Sequence, residues 1–120
     1  MTSVREYIEM AIDLRDKEDV LVPEARRLIG GPFSLKQISD ITGVSQRRLK
    51  VAYRDHERPG GRLNPAALED IRDLRYQNEI GQRLDKAAVW RVILGGTSER
   101  VLARLVGANI TTIREMMEER

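Results

Sequence analysis

Apolar residues recur along this chain at intervals of three and four positions, which is the period of one face of an α-helix. The first such stripe runs through Val4, Tyr7, Ile8, Ala11 and Ile12. No segment shows the apolar and polar alternation of a half-buried strand. The pattern therefore predicts an all-α protein of about eight short helices.

Local sequence signals predict where these helices start and stop. Candidate N-terminal caps are Ser3, Ser34, Ser45, Asp85, Ser98 and Asn109. Pro23 suits a first helical position, and the helix that it opens is expected to end at the glycine pair 30–31. Asn64 and Pro65 start a helix with apolar residues at Leu68, Ile71, Leu74 and Tyr76. Phe33 and Trp90, each beside a glycine pair, are expected to fill the core.

One two-helix pattern occurs twice in the chain. Residues 34–54 are SLKQISDITGVSQRRLKVAYR and residues 98–118 are SERVLARLVGANITTIREMME; these are the first motif and the second motif. With Gly43 aligned to Gly107, the small or apolar pairs are Ile38 with Leu102, Ser39 with Ala103, Val44 with Ala108, Leu49 with Ile113 and Ala52 with Met116. The turn needs a residue with positive φ, and glycine suits it because this left-handed conformation costs other residues roughly 1–2 kcal/mol. The spacing predicts two helices joined by a tight turn over a shared core.

Ile38, Ser39, Gly43, Val44 and Leu49 stand in the order of a known motif. In these two stretches the chain resembles the helix-turn-helix of bacterial and bacteriophage transcriptional regulators. The first motif is the better match, because Gly-Val-Ser is a common form of the turn. The similarity extends upstream, where RLIGG precedes the first motif and VILGG the second. Each copy is therefore expected to be a short helix, a Gly-Gly stop and a helix-turn-helix.

Charge distinguishes the two motifs, although the net charge of +2 is too small to indicate a partner. Residues 1–24 carry three basic and seven acidic side chains, whereas residues 43–62 carry six basic and two acidic ones. In residues 98–120 four arginines are offset by four glutamates. Because DNA is a polyanion, this distribution favours DNA binding by the first motif. The second motif is expected to be a structural or dimerising duplicate, with direct base recognition as the alternative.

The resemblance implies which residues contact DNA, since base contacts in such proteins come from the early turns of the second helix. The implied base-contacting residues are Ser45, Gln46, Arg47 and Lys50. Those implied to contact the DNA backbone are Lys36, Arg48, Tyr53 and Arg54. Arg58 and Arg62, on the loop that follows, are further candidates because of their charge. Secondary candidates in the second motif are Asn109, Thr111, Thr112 and Arg114. Leu49 and Ala52 are expected to be buried, and Val51 to lie near the groove wall.

Residues 58–63 form a basic Gly/Pro loop between a predicted first part, 1–57, and a predicted second part, 64–120. Arginines on such a loop suit a narrow minor groove, and an interdomain linker is the competing interpretation.

Composition narrows the function classes. The absence of cysteine removes disulfides, thiolate zinc sites and thiol catalysis. His56 is the only histidine, and no phosphate-binding loop, dinucleotide fingerprint or catalytic triad can be assembled. Glu69, Asp70 and Asp73 are expected to form a solvated helix face. We expect no enzyme activity and no cofactor, and a cytoplasmic location, because no apolar run reaches a membrane span and Glu6 and Glu9 do not suit a signal peptide.

The sequence predicts a protein that binds double-stranded DNA specifically, as a repressor-like transcriptional regulator of bacterial or phage type. It would act as a monomer or a homodimer, with no membrane partner and no small-molecule ligand. One alternative is a phage packaging small subunit or a recombination accessory factor. Another is a protein-interaction module without DNA binding, in which both motifs pack inward or dock a partner, with the acidic N-terminal helix as one candidate docking element.

Overall fold

The structure is a computed structural model that describes residues 2–50 and 61–119. In these residues it contains eight α-helices, a 3₁₀ turn and no β-strand, so the all-α prediction is confirmed. The helices are α1 (Val4–Arg15), α2 (Val22–Arg26), α3 (Leu35–Thr42), α4 (Gln46–Lys50), α5 (Leu68–Glu79), α6 (Lys86–Leu94), α7 (Glu99–Val106) and α8 (Ile110–Glu118). The 3₁₀ turn, Pro65–Ala67, leads into α5.

The chain divides into two compact units, Met1–Gly60 and Gly61–Arg120. This division falls inside the predicted loop 58–63. In the first unit, α1 packs on α3, α2 packs on α3 and α4, and α3 packs on α4. In the second unit, α5 packs on α6 and α7, α6 packs on α7 and α8, and α7 packs on α8. The internal duplication therefore extends beyond the motifs to the two helices that precede each of them.

The first helix of each unit buries three apolar residues at intervals of three. They are Ile8, Ala11 and Leu14 in α1, and Leu68, Ile71 and Leu74 in α5. Tyr76 does not continue the stripe of α5, because positions two apart on a helix point in different directions, and it is 49% exposed. Phe33 is fully buried as predicted, but Trp90 is only half-buried.

The predicted N-terminal caps are present. Side chains accept a backbone N–H in the first turn at Ser3, Ser34, Asp85, Ser98 and Asn109. Each cap satisfies a donor that has no partner inside its helix, which typically contributes about 1 kcal/mol. These contacts depend only on residues close in sequence, and they start the helices where the sequence indicates.

The end of α2 differs from its prediction. The helix ends at Arg26, four residues before the glycine pair, and residues 27–29 continue as tight turns with bonds to the third preceding carbonyl. Leu28 is fully buried there. A Cβ on Gly31 would lie 2.6 Å from two ring carbons of Tyr7 in α1. Close packing against α1, rather than helix termination alone, therefore requires a glycine at position 31.

Candidate nucleic-acid interface

The first motif forms two helices joined by a tight turn. Ser34 starts α3 with a capping box, in which its Oγ accepts from the Gln37 N–H at 3.1 Å and its own N–H donates to Gln37 Oε1 at 2.9 Å. Gly43 ends α3 with φ of +79°, and its N–H donates to the Ser39 carbonyl at 2.8 Å. Ser45 Oγ accepts from the Arg48 N–H at 3.4 Å, a weak cap for α4.

The side chains of α4 divide between the core and the surface. Leu49 is fully buried, as expected, and Val44 before the helix is buried as well. All four predicted base-contacting residues are exposed: Ser45, Gln46, Arg47 and Lys50. Gln and Arg can each form paired hydrogen bonds with a base edge in the major groove. Over residues 46–50, α4 therefore presents a polar and cationic surface and packs into the core through Leu49.

The cations of the first motif are not neutralised within the described residues. Lys36 on α3 and Arg48 on α4 are exposed, together with Arg47 and Lys50. Among residues 2–50, no carboxylate lies within ion-pair distance of any of these four side chains. Asp40 is the acidic residue of α3, and it is exposed. Among the described residues, the surface of α3 and α4 thus carries more positive than negative charge.

Several residues predicted to contact the DNA backbone do not lie on α3 or α4. Tyr53, Arg54 and Arg58 lie outside the described residues, as do Val51, Ala52 and His56. Arg62 belongs to the second unit, where its carbonyl accepts the Ser98 N–H at 2.9 Å. Beside it, a Cβ on Gly61 would lie 2.4 Å from Val101 Cγ2. Arg62 is therefore attached to the start of α7 and is exposed there.

The second motif repeats this backbone geometry. Gly107 has φ of +82°, and its N–H donates to the Ala103 carbonyl at 2.9 Å. The secondary candidates Asn109, Thr111, Thr112 and Arg114 are all exposed. Asn109 Oδ1 is used as the cap of α8 and accepts the Thr111 N–H at 2.9 Å. Glu115 and Glu118, also on α8, are exposed and place negative charge on this helix.

The two turns differ in what lies next to them. A Cβ on Gly43 would have no atom of residues 2–50 or 61–119 within 4 Å, whereas a Cβ on Gly107 would lie 2.6 Å from Arg75 Nη1. From α5, Arg75 Nη1 donates to the Leu105 carbonyl at 3.4 Å and Asn78 Nδ2 donates to the Val106 carbonyl at 3.3 Å. The end of α7 is thus held by side chains of α5, which lie beside the second turn, and Gly107 itself is exposed.

The basic side chains of α5 and α6, and Arg83 between these helices, are paired with carboxylates. The pairs are Arg72 with Asp73, Arg75 with Glu79, Arg91 with Asp70, and Arg83 and Lys86 with Glu119. The hydrogen bond from Arg91 to Asp70, at 2.9 Å, raises the pKa of the arginine. Asp70 and Asp73, expected as a solvated face, are therefore ion-pair partners.

Arg26 is a site residue that the sequence did not indicate. Its Nη2 donates to the carbonyl of Arg48 in α4 at 3.0 Å, across 22 positions of sequence. No periodicity, cap or motif links these two residues, so only the folded packing of α2 on α4 reveals the contact.

No protein-family model, curated protein or solved structure matches this chain. Within the described ranges, no group of three or more His, Cys, Asp or Glu side chains could hold a metal ion. None of the helices in those ranges is both long enough and apolar enough to cross a membrane.

Proposed function

We propose that the first motif binds double-stranded DNA with sequence specificity and that the protein is a repressor-like transcriptional regulator of bacterial or phage type. The observation that carries the proposal is the surface of α4, where Gln46, Arg47 and Lys50 are exposed above buried Leu49. Such side chains supply the paired donors and acceptors that distinguish bases in the major groove. In this proposal the protein acts by occupying its operator.

Unpaired charge supports the same proposal. Lys36 and Arg48 are exposed without a carboxylate partner in residues 2–50. Cations of this kind suit phosphate contacts, which fix the position of a protein on the duplex without selecting a sequence. We assign Lys36, Arg48, Tyr53 and Arg54 to the DNA backbone, on the sequence pattern alone for the last two.

The second motif has a different role in this proposal, as a structural or dimerising copy. Glu115 and Glu118 are exposed on α8 and would repel phosphates. Arg75 and Asn78 of α5 donate to the carbonyls at the end of α7, beside its turn. Any DNA contact by the second motif is secondary and involves Thr111, Thr112 and Arg114.

Replacing Arg47 with Ala tests base recognition. The operator used is the duplex that the wild-type protein selects from a random pool. We expect Arg47→Ala to weaken operator binding by roughly 1–3 kcal/mol and to relax preference at one base pair, as measured by fluorescence anisotropy. Arg72→Ala is the matched control, because it removes the same charge from an arginine that is paired with Asp73. Unchanged affinities of Arg47→Ala for operator and random DNA would show that α4 does not recognise bases.

A packaging small subunit or recombination accessory factor would use the same DNA-binding surface and would differ in what it assembles with. A protein-interaction module would bind neither the selected operator nor random duplex DNA. The wild-type protein's binding to random and selected duplexes separates that alternative from the proposal.

A further inference from the structure

Helix α4, which carries the candidate base-contacting residues, is hydrogen-bonded to a residue outside the first motif. Arg26 is the last residue of α2, and its Nη2 donates to the Arg48 carbonyl at 3.0 Å. The Arg26 side chain is half-buried, and its Nε is buried with no hydrogen-bond partner in the described part of the chain. A guanidinium is thereby placed against the backbone of α4, on the side where α2 packs.

The orientation of α4 depends on such contacts. Helices in proteins gain most of their stability from tertiary packing rather than from intrinsic propensity, so packing sets the direction of α4. Leu49 anchors one side in the core. The bond from Arg26 fixes the peptide just before Leu49, which lies between the base-contacting candidates Arg47 and Lys50. A small rotation of α4 would displace both of these side chains from the base edges.

The second unit uses the equivalent arginine differently. When the glycine pairs 30–31 and 95–96 are aligned, Arg26 corresponds to Arg91. Arg91 donates to Asp70 of α5 at 2.9 and 3.2 Å. The same position therefore contacts the final helix of the motif in the first unit and the first helix of the unit in the second. The arginine thus contacts the last helix of the motif in the unit to which we assign DNA recognition, and does not in the other unit.

We propose that Arg26 is a positioning residue for DNA recognition, which holds α4 in the orientation that presents Arg47 and Lys50 to the bases. The proposal rests on the proposed function. In this proposal Arg26 does not contact DNA itself, because its side chain acts through the Arg48 carbonyl.

Arg26→Gln is compared with Arg27→Gln. Arg27 is the neighbouring residue, is exposed, and has no side-chain hydrogen bond or ion pair with another described residue, so its change removes the same charge without breaking a bond to α4. Its electrostatic attraction to Glu24 is lost in this control. We expect Arg26→Gln to lower the ratio of operator affinity to random-duplex affinity by about tenfold or more, because recognition needs side chains held to within roughly 0.5 Å. Arg27→Gln and Arg91→Gln are expected to leave this ratio unchanged. Arg26→Met, which keeps the aliphatic stem, is measured in parallel in case the Gln variant does not fold.

Two further measurements distinguish positioning from contact. Hydrogen exchange in the DNA-free protein should become faster at the backbone amides of residues 46–50 in Arg26→Gln and not in Arg27→Gln. The slope of log affinity against log salt should change no more in Arg26→Gln than in Arg27→Gln, because a lost phosphate contact would lower it by about one unit.

The outcomes that would overturn the inference are distinct. An unchanged affinity ratio in folded Arg26 variants would refute positioning while leaving DNA binding intact. An equal loss on operator and random DNA, with a reduced salt slope, would make Arg26 a backbone contact instead. A wild-type protein that shows no preference among duplexes would refute the proposed function itself, and the inference with it.

Discussion

At the scale of single residues, two glycines give the motifs their turns but stand in different surroundings. Gly43 and Gly107 both have positive φ, +79° and +82°, which L-residues other than Asn and Asp rarely adopt. Gly43 faces open space, while Gly107 lies against the guanidinium of Arg75. Substitution at Gly43 therefore measures backbone strain alone, and substitution at Gly107 also disturbs the contact from α5.

We expect Gly43→Ala to lower the free energy of unfolding by roughly 1–2 kcal/mol, because alanine resists the left-handed conformation. Gly43→Asn should cost less, since asparagine tolerates that conformation. Urea unfolding followed by circular dichroism measures both variants. An equal cost for Ala and Asn would contradict this account, because no atom lies near enough to clash with either Cβ.

At the scale of secondary-structure elements, the helix starts could be predicted from sequence and some helix ends could not. Caps such as Ser34 and Ser98 act on backbone groups three residues away, so a short sequence window contains the whole interaction. The end of α2 depends on the burial of Leu28 and on the Tyr7 ring against Gly31, which are tertiary contacts. The hydrogen bond from Arg26 to the Arg48 carbonyl is also a tertiary contact, so the sequence does not reveal it. The exposed face of α4 was predictable, because the burial of Leu49 determines which side chains point outward.

The start of α2 offers a test by pH. Glu24 bonds to Lys17 and also accepts the Leu21 N–H at 3.1 Å, and these contacts lower the pKa of its carboxyl group. A carboxyl group with a lowered folded-state pKa stabilises the fold above its unfolded-state pKa, and this contribution is lost as pH falls through the folded-state value. We expect Glu24→Gln to be less stable than wild type at about pH 7 and to approach wild type at about pH 2–3, where the carboxyl is protonated. Urea unfolding at both pH values measures this, and a difference independent of pH would contradict the assignment.

At the scale of the whole molecule, a duplicated four-helix unit carries two different surfaces. In the first unit, the cations of α3 and α4 have no carboxylate partner among residues 2–50. In the second unit, the cations of α5 and α6 are paired, exposed Arg100 on α7 and Arg114 on α8 have no carboxylate partner among residues 61–119, and α8 also exposes Glu115 and Glu118. Because phosphates are anionic, the division of charge assigns DNA recognition to the first unit in our proposal.

Combined substitutions compare the two units directly. Changing Thr111, Thr112 and Arg114 together to Ala should leave operator affinity within roughly tenfold of wild type, or about 1.4 kcal/mol. Arg47→Ala with Lys50→Ala should weaken it further, because these side chains are assigned to base contacts. Affinity is measured by fluorescence anisotropy and the binding site by footprinting. The footprint of each monomer could instead cover two adjacent major grooves and be lost in the triple variant. That result would show that both units contact bases.

The predicted loop provides a test of charge. Neutralising Arg58 and Arg62 together should flatten the slope of log affinity against log salt by up to about two units if both arginines contact DNA phosphates. Arg62 is exposed at the start of α7, which leaves its side chain accessible for such a contact. An unchanged slope would identify residues 58–63 as a linker between the units.

Selection from a random pool of double-stranded DNA tests the central claim most directly, namely that the first motif recognises specific DNA sequences. The wild-type protein is predicted to enrich one common sequence over successive rounds, and the Thr111, Thr112 and Arg114 triple variant should enrich the same sequence. The Arg47→Ala, Lys50→Ala double variant is predicted to lose this enrichment while remaining folded. No enrichment by the wild-type protein, or the same enrichment by the double variant, would contradict the assignment of DNA recognition to α4.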